Sequence, residues 1–279
     1  MSYSVMCWNI ENFSGKPERA KDVARRIKKL DPDLIGILEL KDKGAAREFV
    51  SSHLKNYNFG ITDTRAYEES GRPGRKLDIL VGWKPGSFSQ VVYTTRREFT
   101  MERIGIRPGA LVSVRRGNRF DNVLFLHSKS GPDWTSYGMR QTQLKSVWKL
   151  RRALDKIAGG AGRGRLMVVG DLNTMGNGSS VDQEEEIDRL IGAARKAGMW
   201  VPSKTHDRTY ANVSKGWRSD LDHVLVSNNI ELEPEWKDSF GNWVGVRVTG
   251  WVEIENDREK LKSFTREISD HSALFARVR

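Results

Sequence analysis

Five short apolar runs in this chain each lead to polar residues of the kinds that bind metal ions or move protons. The runs have the length and composition of buried β-strands. The polar residues at their ends are Asn9, Glu39, His127, Asp171 with Asn173, and Asp270 with His271. Strand ends are rigid supports on which side chains from distant parts of a chain can converge. The pattern therefore predicts one site at one edge of a β-sheet structure.

The chemical types in this set indicate metal-assisted hydrolysis of a phosphate ester. Carboxylate and amide oxygens are the hard ligands that Mg²⁺ prefers, and an imidazole can activate water or donate to a developing oxyanion. The single cysteine, Cys7, lies inside the first apolar run. It is therefore expected to be a core residue, and it has no partner for an internal disulfide.

The order of the predicted elements is mixed α and β and is repeated in two halves. The first half contains a predicted strand at 3–9, a helix at 17–30, a strand at 34–39, a helix near 45–54 and strands at 77–83, 110–114 and 122–126. The second half contains predicted helices at 136–157 and 184–197 and strands at 166–169, 222–227, 245–254 and 273–278. Two mixed sheets, each covered on its outer face by helices, would bury the apolar faces of these elements.

Length and composition narrow the class of protein. A chain of 279 residues can bury a large core, and without a Pro/Ser-rich linker it is expected to form a single domain over 1–279. Its first residues lack the basic and apolar regions of a signal peptide, and no apolar run approaches the roughly 18 residues of a membrane span. We therefore expect a cytoplasmic protein that does not bind membranes, and we leave its oligomeric state open.

The net charge of +11 and the pI near 9.7 predict attraction to polyanions. Basic residues concentrate at 65–119 and 140–165, and nine tryptophans offer rings on which bases can stack. For any single lysine or arginine, a solvated surface position is the preferred interpretation. Taken together, the basic residues favour nucleic acid as the partner.

Several segments resemble a known superfamily when they are read in chain order. They are Cys7-Trp8-Asn9-Ile10, Pro32 to Glu39, Gly170-Asp171-Leu172-Asn173, Ser219 to Ser227 and Ser269-Asp270-His271. Together they resemble the endonuclease/exonuclease/phosphatase superfamily, which has the deoxyribonuclease-I-like fold, and the resemblance spans nearly the whole chain. It implies an α/β (α+β) protein, a four-layered αββα sandwich of two mixed β-sheets flanked by helices, with the site at the top of the two packed sheets.

The resemblance also implies a metal site. Glu39 is similar to the family's principal Mg²⁺ ligand, with Asn9 and, directly or through water, Asp270 in support. Mn²⁺ is a possible substitute for Mg²⁺, and a ligand set with one glutamate and polar helpers suits such a cation better than it suits Zn²⁺.

The resemblance further implies catalytic roles for residues beside the metal ligands. Asp171 and Asn173 would position the attacking water and the scissile phosphate. His271 would handle a proton and contact the phosphate, with Asp222 orienting the ring. His127 matches a second catalytic histidine of the nuclease branch, a candidate acid or transition-state donor.

Basic residues near these segments are candidates for contacts with substrate phosphates. Lys129 belongs to His127-Ser128-Lys129-Ser130-Gly131, which resembles the His-Leu-Lys-Ser-Gly segment of one branch, and Arg140 follows on the next helix. Arg75 and Lys76 belong to a separate basic loop. A carboxylate that would support His127 has no certain match, and Asp78 is one candidate.

The absence of two family segments narrows the subclass of phosphoesterase to which the chain is compared. It has no Tyr-x-Pro-Asn segment of abasic-site endonucleases, and it ends in Ser-Asp-His where inositol-phosphate phosphatases have Ser-Asp-Arg. We therefore predict a Mg²⁺-dependent phosphodiesterase that hydrolyses nucleic acid, a DNA endonuclease or exonuclease, with DNA favoured over RNA. The alternatives are a phosphomonoesterase or lipid phosphodiesterase of the same fold, or a catalytically silent nucleic-acid-binding module.

Overall fold

Two six-stranded β-sheets pack face to face in the part of the chain that this computed structural model describes, residues 2–64, 77–103 and 106–279. With strands numbered in chain order, the first sheet has the spatial order β15 (Val246–Thr249), β16 (Ala273–Val278), β1 (Tyr3–Phe13), β2 (Leu34–Leu40), β4 (Asp78–Trp83) and β3 (Asn58–Ile61). The second has the order β5 (Gln90–Arg96), β6 (Gly109–Arg116), β7 (Arg119–His127), β8 (Leu166–Asp171), β12 (Asp222–Ser227) and β9 (Met199–Trp200). Two short hairpins pair β10 (Tyr210–Asn212) with β11 (Trp217–Ser219), and β13 (Trp236–Lys237) with β14 (Trp243–Val244).

Helices cover the outer faces of both sheets. They are α1 (Pro17–Leu30), α2 (Lys43–His53), α3 (Trp134–Ile157), α4 (Gln183–Lys196) and α5 (Arg258–Glu267), with 3₁₀ turns at Arg97–Thr100 and Trp251–Ile254. The apolar faces of α1, α2 and α5 pack on the first sheet, and those of α3 and α4 pack on the second. A third apolar cluster fills the space between the sheets. The layers are therefore αββα, and the fold prediction is confirmed.

Both sheets are mixed, as predicted. The pairs β1–β2 and β7–β8 are parallel, and the other pairs within the two large sheets are antiparallel. Each parallel pair is connected through a helix, α1 in the first sheet and α3 in the second. The carboxyl ends of β1, β2, β7 and β8 consequently lie where polar side chains follow the apolar runs.

Close approach of the two sheets depends on a glycine in β2. A β-carbon on Gly36 would lie 2.0 Å from the nearest ring carbon of Phe125 in β7. Side chains in protein cores are packed at crystal-like density, so any larger residue here would push the sheets apart. The buried Cys7 lies in the same inter-sheet layer, in agreement with its predicted core role.

The structure differs from the sequence prediction in several elements, among them β3 and the short strands of the two hairpins, which were not predicted. The predicted strand at 245–254 ends at Thr249, because Gly250 has a φ of 135° and leads into the 3₁₀ turn at Trp251–Ile254. Strand β5 and helix α5 were not predicted. Among the described helices, none combines the length and apolar character needed to cross a membrane.

Candidate active site

The predicted site residues come together where the two sheets meet. Asn9 ends the regular part of β1, and its Nδ2 donates to Glu39 Oε1 of β2 at 3.1 Å and to Asp171 Oδ2 of β8 at 3.0 Å. The second of these bonds joins the two sheets. His127 and Asp222 lie opposite Asp171 on the strands that flank it. The strand ends therefore form one continuous polar cluster.

Asn9 acts as a hydrogen-bond donor in this arrangement. Its Oδ1 accepts the backbone N–H of Glu11 at 3.0 Å, so the amide oxygen already has a protein partner. The side chain therefore holds the two carboxylates in place, and its predicted role as a direct metal ligand stays a prediction.

Strained backbone turns Glu39 into the cluster. Glu11, Asn12 and Glu39 have φ values of 42°, 50° and 67°, in the left-handed region that disfavours residues with a β-carbon. The pairing register of β1 and β2 shifts at this place, and the N–H of Asn12 donates to Glu39 Oε2 at 3.0 Å. Such strain costs about 1–3 kcal/mol per residue and concentrates at functional sites.

The cluster has the donor set for a divalent cation. Glu39, His127 and Asp171 each present a ligand atom, and these atoms all lie within 4.8 Å of one another. Burial, with Asp222 nearby, raises the pKa of Asp171 to about 7. A buried group of carboxylates with raised pKa values gains from a neutralising cation.

Asp270 lies at the edge of the same cluster. Burial raises its pKa to about 6, with Glu11 and Glu39 contributing against the opposing effect of His271. Its Oδ1 is buried and has no hydrogen-bond partner among the described residues. An orphaned carboxylate oxygen is a position where a cation or its water would be satisfied, so the residues present fit the implied metal ion.

His271 and Asp222 form a buried dyad. Asp222 Oδ2 lies 2.8 Å from His271 Nδ1, which fixes the ring and leaves Nε2 facing the cluster. Nε2 is 3.8 Å from Asp171 Oδ2 and 3.9 Å from Asp270 Oδ1. Burial lowers the pKa of His271, but Asp222 and Asp171 outweigh it, so the net pKa is well above the usual value. The protonated ring is thus a cationic donor that faces the cluster.

Surrounding groups fix the position of His271. Trp8 Nε1 donates to the His271 carbonyl at 2.9 Å, and the ring of Tyr210 packs at 5.1 Å from the imidazole. Ser269 Oγ accepts the His271 N–H at 3.0 Å and donates to the Asn9 carbonyl at 2.7 Å. The turn that carries the histidine is therefore tied directly to the strand that carries Asn9.

His127 has a different environment. Its Nε2 lies 3.6 Å from Glu39 Oε1 and 3.5 Å from Asp171 Oδ2, while its Nδ1 is buried without a partner among the described residues. Burial, Arg107 and His271 lower its pKa well below the usual value. The candidate supporter Asp78 instead accepts from Thr62 Oγ1 and the Thr64 N–H, so that candidate is wrong.

We expect His127→Ala to reduce turnover less than His271→Ala does. The neutral His127 ring has no carboxylate to stabilise an imidazolium, whereas His271 has Asp222. Turnover of a phosphodiester by the two single variants, measured across pH, checks this. Equal losses would show that His127 acquires a carboxylate partner in the reacting complex.

Arg140 was predicted to contact a substrate phosphate, and its position in the structure contradicts that prediction. Its side chain is 1% exposed, and its guanidinium forms a two-bond ion pair with Glu186, each bond 2.8 Å long. The remaining donors bind the carbonyls of Lys129, Gly131 and Gly176. No N–H of this group is free for a substrate, so Arg140 braces the loops beside the site.

The other predicted phosphate contacts have different outcomes. Lys129 is half-buried, its Nζ donates to the Ser130 carbonyl, and its phosphate contact stays a prediction. Arg75 and Lys76 lie outside the described residues, as do Arg65 and Arg72 of the same basic region.

Arg107 is a cation near the site that sequence reasoning did not single out. It is close enough to Glu39, Asp171 and His127 to interact electrostatically with all three. Its Nη1 donates to the Ser128 carbonyl at 3.2 Å, and its Nε is buried without a partner among the described residues. No apolar periodicity or recognisable segment surrounds it, so only the folded geometry identifies it.

Comparison with known proteins identifies the family. The family model described as "Endonuclease/Exonuclease/phosphatase family" matches residues 6–271, almost the whole chain. The chain belongs to this family. The match begins just before Asn9 and ends at His271, so it includes every strand end that contributes to the cluster. A search of curated proteins gave no significant match.

Solved structures share the fold of this family member. D. rerio TDP2 in complex with a single-strand DNA product has a TM-score of 0.67 at 14% identity, covering 100% of this chain and 99% of that chain. Truncated Caenorhabditis elegans TDP2 has a TM-score of 0.62 at 17% identity, covering 99% and 97%. A family protein from Leptotrichia buccalis has a TM-score of 0.64 at 12% identity, covering 99% of each chain. At these identities the similarity establishes the fold alone.

Proposed function

We propose that this protein is a divalent-metal-dependent phosphodiesterase that hydrolyses nucleic acid, with DNA as the favoured substrate and Mg²⁺ as the favoured ion. The observation that carries the proposal is the unbroken cluster from Glu39 through Asn9 and Asp171 to the His271–Asp222 dyad. A module that only binds nucleic acid has no need for this buried and costly set of carboxylates.

The geometry supports separate roles for the residues. Glu39, with Asp171, Asp270 and His127 close by, would hold the ion, which supplies charge neutralisation and polarisation of phosphoryl oxygens when bound. The His271 Nε2–H, held by Asp222 on the other side of the ring, would donate to a phosphate oxygen. Asp171, whose pKa burial raises to about 7 when no ion is bound, would orient the attacking water.

Asn173 would help Asp171 by fixing its carboxylate. Its backbone N–H donates to Asp171 Oδ1 at 2.9 Å, and its own φ of 52° turns its side chain towards the Ser128 carbonyl. With Oδ1 held by Asn173 and Oδ2 by Asn9, the Asp171 carboxylate has a fixed orientation before any substrate binds.

The net charge of +11 and the solved complex of D. rerio TDP2 with a single-strand DNA product support nucleic acid as the substrate. The direct test is incubation of the pure protein with end-labelled single- and double-stranded DNA and RNA, in Mg²⁺ or in chelator. Metal-dependent cleavage of at least one nucleic acid is expected. Hydrolysis of phosphomonoesters or phospholipids with no nucleic acid cleaved would favour the alternative substrates instead.

Metal affinity is expected to increase with pH. In the metal-free fold, Asp171 and Asp270 have pKa values of about 7 and 6, so both bind protons that a cation must displace. Affinity should therefore rise from about pH 5 to about pH 8 and then level off, and proton release on binding should decline over the same range. Calorimetric titration with Mn²⁺ in two buffers of different ionisation enthalpy measures both quantities.

The raised pKa values of Asp171 and Asp270 also determine the direction in which the stability of the protein changes with pH. Because the folded pKa values exceed the ordinary 3.8, the folded metal-free protein binds more protons than the unfolded chain does. This contribution to the free energy of unfolding decreases as pH rises from about 4 to about 7. Stabilisation by added metal should be larger at the upper end of that range, and a pH-independent metal effect would contradict the assignment.

A further inference from the structure

A groove of about 500 Å³ begins at the edge of the catalytic cluster and leads away from it. Asp270 and Tyr210 line its inner end, and Tyr210 is the residue whose ring packs on His271. One wall is the β10–β11 hairpin, and the other is α5, the helix that ends just before Ser269. Any extended molecule bound at the cluster has this groove as a continuation of its path.

The wall formed by α5 carries a row of cations. Arg258, Lys262 and Arg266 line the groove, are exposed, and follow one another at intervals of four residues. With a rise of 1.5 Å per residue, successive members lie about 6 Å apart along the helix axis. This spacing is close to the separation of successive phosphates along an extended nucleic-acid strand.

The orientation of this row is fixed by the core. Leu261 and Phe264, on the other side of α5, are buried in the apolar cluster of the first sheet, so the helix cannot rotate about its axis. Arg258 and Lys262 have no ion-pair partner among the described residues, whereas Arg266 pairs with the neighbouring Glu267. Arg258 and Lys262 thus face the groove, and no internal ion pair competes with a bound anion for their charge.

Charge changes sign along the groove. Glu11 and Asp270 lie at the end beside the cluster, where a divalent cation would neutralise them, and Glu259 is the acidic residue on the α5 wall. The hairpin wall contributes the small polar side chains of Asn212 and Ser214, and the Ser214 hydroxyl donates to Asn212 Oδ1 at 2.8 Å. The lysine and arginine side chains of the α5 wall are of the type that binds phosphate oxygens without reading base sequence.

We infer that the groove between α5 and the β10–β11 hairpin binds one strand of the nucleic-acid substrate, with Arg258 and Lys262 on successive phosphates beyond the scissile one. The inference rests on the proposed function and adds the substrate form, a single strand or an unpaired end. The cations that line the groove all lie on the α5 wall, so the groove offers phosphate contacts to one backbone, and this binding is independent of base sequence.

The test compares two double charge reversals by binding. Arg258→Glu/Lys262→Glu reverses the charge of the two unpaired members of the row, and Lys28→Glu/Lys29→Glu is the matched control with the same charge change. The control residues are exposed in the last turn of α1. The chain then enters β2 at Leu34, and Glu39 lies near the other end of that strand. Fluorescence anisotropy of labelled dT20 in chelator, at several salt concentrations, gives affinity without hydrolysis.

The groove variant should bind dT20 at least about tenfold more weakly than wild type, with a log–log salt slope shallower by about 1.4, the value for two lost single-strand phosphate contacts. The control should keep its slope. Equal effects of the two variants would overturn the groove assignment, because only net charge would then matter. If wild type cleaves DNA but the groove variant binds dT20 normally, the groove assignment is wrong and the proposed function is unaffected. If wild type neither binds nor cleaves any nucleic acid, the groove assignment and the proposed function are both wrong.

Discussion

Replacing His271 with alanine is expected to lower the turnover of a phosphodiester substrate by at least about a hundredfold, the usual scale for removing an acid–base group. The buried imidazole lies between Asp222, which fixes its ring at 2.8 Å, and Asp171 and Asp270, which its Nε2 faces at 3.8 and 3.9 Å. Alanine removes the cationic donor and leaves three carboxylates without it. The loss should therefore be mainly in turnover, with a smaller effect on the Michaelis constant.

Asp222→Asn provides the matched comparison for this change. It keeps the shape of the dyad but removes the charge that stabilises the imidazolium, so turnover should fall while the fold is retained. Thermal melts of both variants control for misfolding. Wild-type turnover in both variants, with normal melts, would mean that the dyad is structural.

Replacing Arg140 with methionine is expected to lower the free energy of unfolding by about 3–5 kcal/mol, the usual cost of breaking a buried ion pair from one side. The change leaves Glu186 buried with an uncompensated charge, since both residues are at most 1% exposed. It also removes the donors that hold the Lys129, Gly131 and Gly176 carbonyls. Urea denaturation monitored by tryptophan fluorescence measures the loss.

Arg140→Met/Glu186→Met, which makes both partners apolar, is the control. It should recover part of the stability, because no buried charge is then unpaired. If Arg140→Met proves as stable as wild type and instead weakens nucleic-acid binding, then Arg140 contacts substrate and is not a buried brace.

The sequence predicted well which polar strand ends lie together, because the signals there are local. A buried strand that ends in a polar residue is visible in the chain, as Glu39 and Asp171 show. The bounds of α1 agree with prediction because Pro17 starts the helix and Asp31 ends it in a left-handed conformation. Strand pairing then converts these local signals into one site.

Features that depend on tertiary contacts could not be predicted in the same way. Helix α5 buries only Leu261 and Phe264 within a charged segment, which gives a weak periodic signal. Strand β5 is similar, since none of its residues is fully buried. The buried position of Arg140 depends on Glu186, which is 46 residues away in the chain. In the same way, only the folded structure shows that Asp78 bonds to Thr64 and that His127 Nδ1 has no partner among the described residues.

A joint titration of Mn²⁺ binding and nuclease activity, for wild type and Glu39→Gln, tests most directly whether an ion held by Glu39 is needed for cleavage. Electron paramagnetic resonance reports free Mn²⁺, and labelled DNA reports cleavage in the same samples. Wild type is expected to bind Mn²⁺ and cleave DNA in parallel, with both abolished by chelator, and Glu39→Gln is expected to fold normally but lose both. Undiminished cleavage in metal-free buffer, or Mn²⁺ binding and cleavage unchanged in Glu39→Gln, would contradict this expectation.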